Sequence, residues 1–321
     1  MNWLFEFPFV AKPDVNAIDQ ATRSFASKAS WFFEDIIGAG LTQFVNAINW
    51  LLGHTPWILL IALVFFLGWK AKGKVTSGIL YAALLFFIGV VGLWDLMLMT
   101  LSIVIASVII ALVFGFPIGI LLSYSDRASN IVRPIMDTMQ TMPVFVYLIP
   151  ALLFFGMGSA SAVIATVIYA IVPVIRLTSL GIRQVDAEVV EAAKAFGSTR
   201  LQALVKVQIP QALPTIMAGV NQTIMMAMAM VVTCSMIGAR GLGNEVLIAV
   251  NRTEIGRGLV SGISVVILAV ILDRLTQGWF ADKKKKTEKK ERRLLPALKL
   301  ALKKAHEPAS AQSLKGEEQN A

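Results

Sequence analysis

Few residues in this chain are equipped for chemistry, and the most suggestive of them mislead. Gly68-Trp69-Lys70-Ala71-Lys72-Gly73-Lys74-Val75 comes close to a phosphate-binding loop, which would make the chain its own ATPase. Its context excludes that: Val75 stands where Ser or Thr must hold magnesium, and the stretch joins two apolar segments instead of following a strand. Gly238-Ala239-Arg240-Gly241-Leu242-Gly243 does not complete a dinucleotide fingerprint and is predicted to be a tight turn after an apolar segment. Cys234 is the one cysteine, so neither a disulfide nor a thiolate metal site forms within one chain. His54 and His306 are the two histidines and lie far apart, so no convergent catalytic or metal-ligating set is expected, and no cofactor. If the chain does work, the energy comes from another protein.

A second set is suited to docking. Glu191-Ala192-Ala193-Lys194-Ala195-Phe196-Gly197 precedes Val207-Gln208-Ile209-Pro210, with nine residues intervening. Asp186 is predicted to cap a helix, Glu188 falls in its first turn where the dipole favours a carboxylate, and Gly197 ends it in a left-handed conformation. On a helical wheel Val189, Ala193 and Phe196 share one face, expected to pack on the protein's own body. Glu191, Ala192 and Ala195 lie on the other, small enough for a partner's backbone to approach. Thr199 with Gln202 fits a capping box, and Pro210 and Pro214 are expected to close the second helix. The result is a helix-turn-helix elbow.

The elements that position these residues are those of a membrane protein. Of the 321 residues, 56% are hydrophobic and 15% charged, a balance far from that of a soluble domain. Seven apolar spans are predicted, near 55–70, 75–93, 97–123, 142–157, 160–176, 215–238 and 257–277. The 142–157 span is short, and Pro143 and Pro150 predict a broken or kinked helix facing an internal path. Lys70, Lys72, Lys74, Arg127, Arg133, Arg176, Arg183, Lys194, Arg200, Lys206, Arg274 and the basic tail fall on one side. Lys12, Arg23, Lys28, Arg240, Arg252 and Arg257 fall on the other. The positive-inside rule then puts the N-terminus outside, and the C-terminus and the Glu191 elbow in the cytoplasm.

The chain divides into an extracytoplasmic segment 1–54, two peripheral spans in 55–94, a core 95–280 with its elbow at 182–214, and a tail 281–321. In the first segment Phe32, Phe33, Ile36, Ile37, Leu41, Phe44, Val45 and Ile48 recur at helical spacing. They predict an amphipathic helix on the outer surface or packed against the first spans. The tail carries much of the net charge of +9 and is expected to meet anionic lipid headgroups, not nucleic acid. In the 215–238 span Asn221, Gln222, Thr223, Thr233 and Ser235 are polar groups that must avoid lipid; they either bond helix to helix or line a path. Met225, Met226, Met228 and Met230 add an adaptable surface. Asp137 is expected to pair with Arg133 across one helical turn.

The spacing from Glu191 to Pro210 resembles the docking loop of permease subunits in ATP-binding-cassette importers, with Val207 and Ile209 replacing the commoner Ile and Leu. Thr141-Met142-Pro143-Val144-Phe145-Val146-Tyr147, Arg176-Leu177-Thr178, Pro214-Thr215-Ile216-Met217-Ala218-Gly219-Val220-Asn221-Gln222-Thr223 and Ile271-Leu272-Asp273-Arg274-Leu275-Thr276-Gln277 resemble the permeases of glycine betaine/proline betaine importers. The resemblance covers about residues 50–280. It implies an all-α polytopic bundle of the MetI-like type I importer fold, a homodimeric pore, two cytoplasmic ATPase subunits and an external binding protein. It further implies that Glu191, Ala192, Ala193, Gly197 and Pro210 couple to the ATPase. Asn221, Gln222, Thr223, Thr233, Ser235, Pro143 and Tyr147 are the candidates for the translocation path. An importer of another small solute, such as choline or an amino acid, stays open at this point, as does a secondary transporter or osmosensitive channel acting alone.

Overall fold

A computed structural model describes residues 14–277, and every regular element among them is helical. The N-terminal part runs through α1 (Val15–Lys28), a π-helical segment (Trp31–Gly38) and α2 (Ala39–His54). A hairpin follows, α3 (Trp57–Lys72) and α4 (Val75–Val90), then α5 (Trp94–Tyr124), α6 (Asp126–Thr141), α7 (Val144–Phe155) and α8 (Ser159–Arg183). The elbow contains α9 (Ala187–Ala195) and α10 (Arg200–Ala203), and α11 (Ile209–Thr233), α12 (Leu242–Arg252) and α13 (Ile255–Gln277) complete the bundle. The basic tail expected to lie on lipid is outside the described residues.

The centre of the fold is the packing of α8 against α5 on one side and α11 on the other. Small residues make this approach close: a Cβ at Gly119 of α5 would stand 2.7 Å from Thr178 Cβ, and one at Gly219 of α11 would stand 3.0 Å from Leu177 Cβ. The α3–α4 hairpin repeats the device, with Gly68 so near Tyr81 that a Cβ would fall 2.6 Å from its ring. Because α3 ends at Lys72 and α4 begins at Val75, the lysine-rich stretch is a helical hairpin turn and not a phosphate loop.

Five helices are long and apolar enough to cross a membrane, six if the bent pair α6–α7 counts as one span, where the sequence led us to expect seven. The difference lies in α3 and α4: at 16 residues each they rise about 24 Å, short of the roughly 30 Å hydrocarbon core. Conversely, Trp31–His54 has the length and hydropathy of a span. It packs on α5, α7 and the start of α8. Phe33 stacks on Phe154 and Phe155 at 4.9 and 5.8 Å, a Cβ at Gly38 would lie 3.9 Å from Ala160 Cβ, and Ser102 Oγ donates to Asn49 Oδ1 at 3.4 Å.

Three local expectations are revised. The chain does bend by 100° between α6 and α7, at Pro143, which drives Met142 out of the helical region to ψ 135°. Pro150, however, sits inside an unbroken α7. Pro210 and Pro214 do not end a helix either. Pro210 lies where the π-helical segment Leu204–Gln208 runs into α11, and Pro214 is carried within α11. Asp137 pairs with Arg176 of α8 at 2.6 Å, not with Arg133, because α6 packs antiparallel to the end of α8; Asp126 with Arg183 forms the matching pair one end along.

Candidate coupling elbow and solute path

The elbow is built from strong local signals. Asp186 Oδ1 accepts from Glu188 N at 2.9 Å and starts α9. The helix stops at Gly197, whose φ of +81° only glycine adopts at little cost. Gly197 N donates to Lys194 O at 2.9 Å and Ser198 N to Ala193 O at 3.1 Å, the bonding pattern of a Schellman motif. The expected capping box is present, with Gln202 N donating to Thr199 Oγ1 at 3.3 Å and Thr199 N to Gln202 Oε1 at 2.9 Å.

What anchors the elbow is its second half. Leu204 joins Ile182, Ala212 and Ile216 in a small buried core, with Phe116, Ile120, Val185 and Ile209 around it. Tyr124 Oη donates to Gln208 Oε1 at 3.1 Å and ties the end of α5 to the same place. A π-helical segment, Leu204–Gln208, leads into α11 without interruption.

The face assignment expected for α9 is corrected here. Ala193 is half-buried together with Val190, but Val189 is exposed and Phe196 is 90% exposed. No residue of α9 is buried. With Leu201 and Val205 also exposed, the elbow presents an apolar patch beside the carboxylates of Glu188 and Glu191. Wheel geometry gave the periodicity but not which stripe faces the body, since that depends on where α10 is anchored.

The candidate path residues separate. Thr223 and Ser235 are buried, and the Thr223 hydroxyl has no hydrogen-bond partner among the described residues. Thr233 is half-buried and donates to Ala229 O at 3.3 Å, while Gln222 is exposed. Asn221 bonds helix to helix: its Nδ2 donates to Asp273 Oδ1 at 3.2 Å, and its Oδ1 accepts from Thr276 Oγ1 at 2.7 Å. Pro143 and Tyr147 act together at the bend. Pro143 has no N–H for the Met139 carbonyl, and the Tyr147 hydroxyl donates to that carbonyl instead. Asp273 and Thr276 escaped sequence reasoning, although a carboxylate near the end of an apolar helix was a visible signal. The Gly238–Gly243 turn packs on α5, where Leu242 N donates to Thr100 Oγ1 at 2.8 Å.

Comparison with known proteins agrees with this arrangement. A family model described as binding-protein-dependent transport system inner membrane component matches residues 111–284. The chain is 48% identical over 281 residues to a glycine betaine/carnitine transport permease of Listeria monocytogenes, covering 81% of this chain and 97% of the relative. It is 50% identical to the glycine betaine transport system permease of Bacillus subtilis, covering 78% and 89%. It is 40% identical to the glycine betaine/proline betaine permease of Escherichia coli, covering 86% and 81%. A solved structure of a methionine ABC transporter in an inward-facing conformation shares the fold, with a TM-score of 0.50, 24% identity, and coverage of 61% of this chain and 93% of that one. With more than half of its length inside the family model and such relatives across most of it, the chain belongs to the inner-membrane permease components of binding-protein-dependent ABC transport systems.

Proposed function

We propose that this chain is the non-catalytic permease subunit of an ATP-driven importer of glycine betaine, proline betaine or a related quaternary ammonium solute, serving osmoprotection. The observation that carries the coupling half of this reading is the elbow: firmly capped, anchored through Leu204, yet leaving Phe196, Leu201 and the Glu191 carboxylate uncovered. A separate cytoplasmic ATPase takes that surface. Glu191 offers it a carboxylate, Ala192 and Ala193 the close fit, Gly197 the turn, and the continuous path through Pro210 into α11 carries the motion. The names of the relatives support the cargo.

In this reading the N-terminus is outside, the elbow is inside, and a second copy of the chain completes the pore. An external binding protein delivers the solute. ATP binding draws two elbows together and opens the paired bundles outward; hydrolysis resets them. The basic tail after Ala281 rests on anionic lipid. The test is reconstitution with the partner ATPase and binding protein in liposomes. Betaine uptake that requires ATP is expected, and uptake by the chain alone would overturn the subunit reading. A bulky residue at Gly197, such as Gly197→Val, is expected to abolish uptake while leaving membrane insertion intact.

A further inference from the structure

Two adjacent side chains near the end of α13 are not accounted for by helix packing. Asp273 and Arg274 line a cleft of about 500 Å³ between α11 and α13, whose other walls include Met225, Met228, Val232 and Val266. The Asp273 side chain is 19% exposed and that of Arg274 50%. Asp273 Oδ1 is occupied, accepting from Asn221 Nδ2 at 3.2 Å and from Gln277 Nε2 at 2.5 Å. Oδ2 accepts no hydrogen bond among the described residues; the nearest cation is Arg274 Nε at 3.8 Å. Holding Asn221 in place uses one carboxylate oxygen and makes no use of the guanidinium. A half-buried carboxylate within a membrane helix is costly and tends to be functional, and the guanidinium of Arg274, on the cytoplasmic side in the reading above, stands beside it.

We propose that this cleft is a transit site for the zwitterionic solute, an inference that rests on the cargo class proposed above. A quaternary ammonium group donates no hydrogen bond, so its partner must offer negative charge without requiring a proton. Asp273 Oδ2, which accepts no hydrogen bond among the described residues and has only the loose Arg274 ion pair, meets that requirement in an apolar wall. The Arg274 guanidinium, with its forked donors, receives the solute's carboxylate. The methionine and valine walls accommodate the N-methyl groups, and methionine adapts to a ligand that must leave again. The cleft lies within the roughly 300–1,000 Å³ range of small-molecule sites. Asn221 and Gln277 are positioning residues that aim the carboxylate. The half-open exposure of Arg274 suits passage more than retention.

The experiment uses the permease–ATPase complex in nanodiscs without its binding protein, and saturation-transfer NMR with three probes. These are glycine betaine, choline, and 3,3-dimethylbutyrate, the uncharged-head carbon isostere of glycine betaine. Asp273→Asn retains an acceptor for Asn221 but loses the charge. It is expected to weaken glycine betaine and choline by at least about tenfold and to leave 3,3-dimethylbutyrate unchanged. Arg274→Gln is expected to weaken glycine betaine and 3,3-dimethylbutyrate and to spare choline. Equal loss of all three probes would reduce both residues to a structural role. No loss in either variant, or no betaine signal from a complex that imports betaine normally, would give the cleft to lipid or to the second copy. Wild-type complex that, in liposomes with ATP and its binding protein, imports no betaine at all would overturn the cargo reading itself, and this inference with it.

Discussion

The α5–α8–α11 core and the 186–208 elbow both depend on small residues, and they use them to opposite ends. In the core, Gly119 and Gly219 bring the chain's own helices together until no room is left for a Cβ, so apolar surface is consumed internally. In the elbow, Ala192, Ala195 and Gly197 leave open space: nothing lies within 4 Å of a Cβ at Gly197, and Phe196 faces outward. The same composition builds a scaffold where the neighbours are intramolecular and an open surface where they are not. A bundle that closes on itself must fill its interior, whereas a coupling element must hold its shape while leaving its contact surface unspent.

The contrast breaks most readily in the core. Gly119→Leu is expected to destabilise the bundle by at least about 3 kcal/mol, because Thr178 and the Ile175 carbonyl cannot both withdraw. Loss of monodisperse protein, or a large drop in thermal stability in detergent, is the readout; an unchanged melting temperature would mean the α5–α8 contact is loose. Phe196→Ala tests the opposite side. It is expected to leave thermal stability within about 0.5 kcal/mol yet weaken ATPase association by about 2 kcal/mol, as for a central interface aromatic. Destabilisation without loss of association would show that Phe196 packs on its own chain after all. The smallest effect sharpens the boundary between the two regions. Thr199→Ala removes the acceptor for Gln202 N and should cost about 1 kcal/mol. Hydrogen exchange should rise across residues 200–208 while α5 and α8 remain protected.

Much of this was legible in the sequence because it depends on neighbours a few residues apart. The cap at Asp186, the turn at Gly197 and the Thr199–Gln202 box are all local bonds, and each is found where its residue types predicted. The prolines were harder. Pro143 breaks the chain, but Pro150, Pro210 and Pro214 are carried within helices, and residue type alone does not say which outcome a proline has. The Asp137–Arg176 pair joins residues 39 apart, and the nearer Arg133 was the only partner that local reasoning could offer.

The sequence by itself determined that this is a helical membrane permease, and where its elbow starts, turns and restarts. Composition, periodicity and caps act over a turn or two, and one chain displays them fully. Only the tertiary structure decided which face of α9 stays bare, that the Trp31–His54 segment packs on α5, α7 and the start of α8, and that Asn221 meets Asp273. Each of those depends on where a distant helix is anchored, and in a bundle held by close van der Waals contact that follows from the shapes of facing surfaces, which residue type alone does not specify.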